Sequence, residues 1–152
     1  MHGPQGWLPL PRVTIIKIFK FMKWYIKLLR WIWEFPQCLL GLILTKLYNV
    51  EYKETYKEIP IYVGDFPGGI SLGLYILMGE SSWKYNRSFI KDHEWGHTRQ
   101  SIRWGWLYLP GPGLCSICWV GLRRISEKLR RKSYYSVWPE NQADKFGGVP
   151  KR

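Results

Sequence analysis

The five residues His93-Glu94-Trp95-Gly96-His97 constrain this chain more than any other stretch. Positions i and i+4 of an α-helix lie one above the other on the same face, so two imidazoles at this spacing reach one ion together. A helix over residues 87–104 is therefore predicted to carry them. Glu94 follows the first histidine directly, which puts a carboxylate beside the ion, where it can take a proton from metal-bound water. The bland alternative is a solvated helix face that happens to bear two histidines. Only three histidines occur in the 152 residues, and two of them stand here.

Zinc in this arrangement needs a third protein ligand from elsewhere in the chain. A histidine six positions after His97, with glycine three after, would mark the longer metzincin pattern, but those positions hold Arg103 and Gln100. The remaining histidine, His2, lies in a terminus rich in proline and glycine, so a carboxylate is expected instead. The segment Pro-Glu-Asn-Gln-Ala-Asp (139–144) offers Glu140 and Asp144 at i, i+4 on a predicted helix over about 139–146. Glu140 would bind the metal, and Asp144 would accept the second ring N–H of a histidine ligand and fix its tautomer. An exposed acidic first turn, favoured by the helix dipole, is the alternative for this pair. Tyr134 and Tyr135 lie just before that helix, and either can donate to an oxyanion.

HExxH followed downstream by E-x-x-A-D resembles the gluzincin metallopeptidases, most closely the integral-membrane group that includes the CAAX-processing protease. The segments PQCLLG, SLGLYI, HEWGHTRQS, GWLYL and ENQADKFGGV also resemble a set of small uncharacterised bacterial proteins, over residues 33–149. The resemblance implies that His93, His97 and Glu140 bind zinc, that Glu94 is the general base, and that Asp144 supports a ligand from outside the coordination sphere. Gluzincins keep an edge strand that aligns an extended peptide by main-chain hydrogen bonds, and here GGISLGLYIL precedes the HExxH helix.

The formal net charge is +12, and it is unevenly spread. Residues 1–50 hold seven bases and one acid, residues 101–152 ten bases and three acids, and the centre six bases and seven acids. Between 12 and 34 the charged residues Arg12, Lys17, Lys20, Lys23, Lys27, Arg30 and Glu34 fall within an arc of roughly 140° on a helical projection, opposite a broad aliphatic and aromatic arc. Such a helix, about 33 Å long, carries too many cations to cross a bilayer cheaply. It is expected to lie in the interface of an anionic membrane, with packing on the protein's own core as the alternative. No secretory signal is apparent in the opening MHGPQGWLPLP, which leads to an expected location on the cytoplasmic face of the membrane. The basic run RRISEKLRRK (123–132) has no recognition motif beside it, so nucleic acid is not an expected partner.

Three cysteines, Cys38, Cys115 and Cys118, argue against a disulfide scaffold, and a lone CxxC lacks the second pair that a zinc ribbon requires. They are expected to be small buried residues. The organisation predicted is one compact α+β domain, mostly helical, with the zincin-like HExxH helix beside a small antiparallel sheet or hairpin. Residues 1–50 form an N-terminal amphipathic and apolar helical region, and residues 51–152 the metal-binding region. Strands are expected at 59–63 and 69–78 around the turn GDFPGG, residues 51–58 as a connector, and 37–48 as a short core or re-entrant helix. These features point to a zinc-dependent peptidase acting on a peptide or protein at a membrane surface. A non-catalytic zinc-stabilised membrane-binding module is the alternative.

Overall fold

The computed structural model describes residues 24–85 and 87–150. Residues 24–33 are helical (α1), and Pro36, tolerated in a first turn, opens α2 at Phe35–Leu47. Four strands follow: β1 (Glu51–Tyr56), β2 (Ile59–Gly64), β3 (Gly69–Leu72) and β4 (Tyr75–Gly79). A short α3 (Glu80–Tyr85) leads to α4 (Arg87–Trp104), the helix that carries HEWGH. After an irregular turn through residues 105–113 come α5 (Leu114–Ile125), α6 (Glu127–Arg130) and α7 (Glu140–Gly147). The architecture is a mostly helical α+β fold with one small sheet.

Alternation explains the sheet. Ile59, Ile61 and Val63 of β2 turn to one face and are buried, as are Ile76 and Met78 of β4. Trp83, Ile90 and Trp95 from α3 and α4 pack over this patch, so the core lies between the sheet and the HEWGH helix. The strand order is β1-β2-β4-β3. β1–β2 and β3–β4 are antiparallel, but β2 and β4 run parallel, with Ile61 opposite Ile76 and Val63 opposite Met78. The sheet is thus mixed, and β3 lies at its edge beside α4.

Several boundaries differ from expectation. Residues 69–78 are two strands, because Gly73 takes a left-handed φ of +63° and folds Leu72 back onto Tyr75. The expected connector at 51–58 pairs as β1, closed by Lys57 and Glu58 at positive φ with no glycine to signal the turn. α2 buries Gln37, Cys38 and Gly41, while Leu39, Leu42, Ile43 and Leu47 are exposed, so most of its apolar residues lie outside the core. Cys38 is buried as expected, whereas Cys115 and Cys118 on α5 are exposed.

Residues 12–23 of the expected amphipathic helix lie outside the described residues. In its described part most of the apolar residues are exposed rather than packed on a core. Tyr25, Ile26, Leu28, Leu29, Ile32 and Trp33 are exposed, while Glu34, read as part of the charged arc, is fully buried. Its carboxylate accepts from Arg30 (2.6 Å) and from the Ser101 hydroxyl of α4 (2.6 Å). Gln37 donates to the same Ser101 oxygen (2.9 Å) and to the Gly105 carbonyl (2.9 Å). This polar network ties α2 to the back of α4, which holds the HEWGH helix from behind. No helix among the described residues is long and apolar enough to cross a membrane.

Candidate metal centre

Two helices build the centre. α4 supplies His93, Glu94 and His97, and α7 supplies Glu140 from its first turn; all four are buried. The helices meet closely because the fourth residue of HEWGH is glycine. A methyl group at Gly96 would overlap the main-chain carbonyl of Ala143.

The three donor atoms converge. His93 Nε2 and His97 Nε2 are 3.2 Å apart, and Glu140 Oε2 lies 3.2 Å from the first and 3.5 Å from the second. Ligands about 2.0–2.1 Å from a tetrahedral ion are about 3.4 Å from one another, so these separations fit a shared cation. Glu140 Oε2 is buried without a hydrogen bond, a condition that costs free energy unless an ion satisfies it. His93, His97 and Glu140 can hold a metal ion.

Each ligand is oriented from outside. Asp144 Oδ1 is 2.7 Å from His93 Nδ1, as expected from its i, i+4 relation to Glu140. Gln100 Oε1 is 2.7 Å from His97 Nδ1, and Gln100 Nε2 donates to the Pro139 carbonyl (2.8 Å) and to Gln142 Oε1 (3.1 Å), which fixes the amide's orientation. With these acceptors holding N–H at Nδ1, each imidazole, when neutral, turns its Nε2 lone pair toward the centre. Ser116 of α5 donates to Glu140 Oε1 in a short hydrogen bond, leaving Oε2 for the metal.

The charges follow from this packing. In the metal-free chain burial would depress His93, but the Glu140, Glu94 and Asp144 carboxylates around it push it up to about 9. Burial raises Glu140, yet the two neighbouring histidines and the Ser116 hydroxyl outweigh it and hold the carboxyl well below the usual range. Glu94 is moved the other way: its burial dominates the opposing pull of His93 and His97, and its affinity for a proton rises. The Ser71 hydroxyl of β3 lies 2.6 Å from the Glu94 main-chain carbonyl and 3.0 Å from Oε2. A Cβ at Gly69 would lie 2.5 Å from Glu94 Oε1, so glycine makes room there for the carboxylate.

A cavity of about 540 Å³ faces the centre, lined by His93, Glu94 and His97, by β3, and by apolar residues of α2 and α5. Tyr134 and Tyr135 both border it. The Tyr134 hydroxyl is 3.4 Å from Ser116 Oγ, and burial together with the charge of Glu140 raises it well above an ordinary phenol, so it stays a donor. Tyr135 instead sets its ring edge-on against His93, at 5.1 Å between centroids. Gln100, Ser116, Ser71 and Tyr108 also belong to the centre or its cavity and were missed from sequence. Only Gln100, at i+3 from His97, had a spacing from which its contact was legible.

Comparison with family models, with curated proteins and with solved structures returned no match.

Proposed function

We propose that this chain is a zinc-dependent peptidase of gluzincin type. The carrying observation is that three donors converge, with Glu94 beside them on the wall of a substrate-sized cavity. Two imidazoles and one carboxylate suit zinc, and a three-ligand set leaves a tetrahedral ion one position for water or substrate, whereas structural zinc is closed by four protein ligands. A bound zinc supplies Lewis acidity and a water of lowered pKa.

The residues of the chain do the rest. Glu94, with its raised proton affinity, takes a proton from the attacking water and passes it to the departing amine. Tyr134 donates its hydroxyl to the developing oxyanion, while Tyr135 packs the His93 ring in place. β3, the edge strand that lines the cavity, offers main-chain groups to an extended peptide.

Purified protein loaded with zinc, compared with Glu94→Gln on a mixed peptide library, tests this. We expect one zinc per chain in both and cleavage only by the wild type. Equal turnover in the variant, or a wild type that binds zinc and cleaves nothing, would refute the peptidase.

A further inference from the structure

α5 is amphipathic in an unusual sense. Its inner face is Ser116, Trp119, Val120 and Arg123, while Leu114, Ile117, Cys118, Gly121, Leu122 and Ile125 point away from the protein. Ile117 is 65% and Ile125 82% exposed. α2 does the same with Phe35, Leu39, Leu42, Ile43 and Leu47. Water-exposed helices of soluble domains carry polar residues on that side, and contiguous exposed apolar surface marks an interaction site.

Both helices contribute to the wall of the cavity. Leu40 of α2 and Leu114 and Ile117 of α5 line it, and the last two are at once cavity wall and outer surface. On that side the apolar lining thus continues onto the apolar exterior. Next to it the chain is strongly basic: residues 123–132 hold Arg123, Arg124, Lys128, Arg130, Arg131 and Lys132 against the single acid Glu127. A protein partner would need both an apolar seat and a dense acidic patch. An anionic bilayer supplies the two together over any area.

We infer that the outer faces of α2 and α5 seat on an anionic bilayer, so that the cavity opens toward lipid and takes an apolar segment of a membrane-bound polypeptide. The substrate class rests on the peptidase proposed above; the docking does not. The docking surface also differs from the helix expected at 12–34, since Ile43, Leu122 and Ile125 lie well outside it.

Vesicle co-sedimentation of the full-length chain, all in the Glu94→Gln background to remove catalysis, tests the inference. With vesicles containing phosphatidylglycerol the protein should pellet, with neutral vesicles much less, and added salt should release it only in part. Ile43→Glu and Ile125→Glu, neither of which lines the cavity, should each lower partitioning at least about tenfold, since burying one isoleucine outweighs a factor of ten. Zinc content of each variant reports whether it folds. If one does not, Lys128→Glu/Lys132→Glu should still lose the preference for anionic over neutral vesicles. Protein that stays in the supernatant overturns the inference. So do glutamate variants that pellet like the parent, which would assign binding to the region before α2, and an oligomer that both variants dissociate while vesicles are ignored. A chain that pellets as described but cleaves nothing as wild type refutes the peptidase and leaves the docking intact.

Discussion

Gln100 Oε1 sits 2.7 Å from Nδ1 of His97, and so does for this ring what Asp144 does for His93. The same side chain holds the Pro139 carbonyl at the start of α7, so one amide sets both a ligand's tautomer and the approach of the helix that brings Glu140. Gln100→Ala should weaken zinc binding about 10–100-fold. Competition titration with a chromophoric chelator measures this, and an affinity within twofold of wild type would show that the contact does not orient the ring.

Gly96→Ala should separate the two helices. The added methyl meets the backbone of Ala143, which cannot rotate away, so the cost is expected at about 1–3 kcal/mol. The melting temperature should fall and zinc affinity with it, because Glu140 rides on the displaced helix. A normal affinity at lower melting temperature would mean that α7 relaxes without moving its first turn.

Ser116 controls which oxygen of Glu140 faces the histidines. Ser116→Ala should lower zinc affinity and alter the visible spectrum of the cobalt-substituted protein, and Ser116→Thr, which keeps the hydroxyl, should restore both. Identical spectra for all three would remove Ser116 from the centre.

Metal uptake should release protons. With His93 pushed up to about 9 in the metal-free protein against an ordinary value of 6.5, its pairing stabilises the fold fully below pH 6.5 and is lost as pH rises through 9. Zinc binds the neutral ring, so loading at pH 7.5 should expel about one proton from this site. Calorimetry in buffers of different ionisation enthalpy reads the number, and zero release would show His93 already neutral.

The thiols should divide sharply. Burial is the main cause that pushes Cys38 up to about 11, whereas Cys115 and Cys118 are exposed. Native protein at pH 8 should show two fast-reacting thiols with Ellman's reagent and a third only on denaturation.

Sequence spacing revealed what depends on local geometry. The i, i+4 histidines demand a helix, and α4 spans Arg87–Trp104 as that demand predicts. Glu140 and Asp144 were legible because a two-histidine set is one ligand short and they share a helical face. Contacts made by the tertiary fold were not. Ser116 sits inside a CxxC that drew attention to its cysteines, and its value comes only from α5 lying over α7's first turn. Glu34 looked like a solvated charge four residues from Arg30, yet its burial depends on Ser101, 67 positions away. The break at Gly73 and the turn at Lys57–Glu58 were hidden because period-2 patterning records which face a residue takes, not where the strand folds back.

The contact between Gly96 and Ala143 has one further consequence, for stability. A cation held jointly by α4 and α7 pins together the two ends of the segment 98–139, which contains α5, α6 and one wall of the cavity. Such a cation would cross-link the two helices in the folded state alone, so its binding free energy would add to the stability of the fold. Stripping such an ion should therefore loosen residues 98–139, and the cavity wall they form, before it disturbs the sheet.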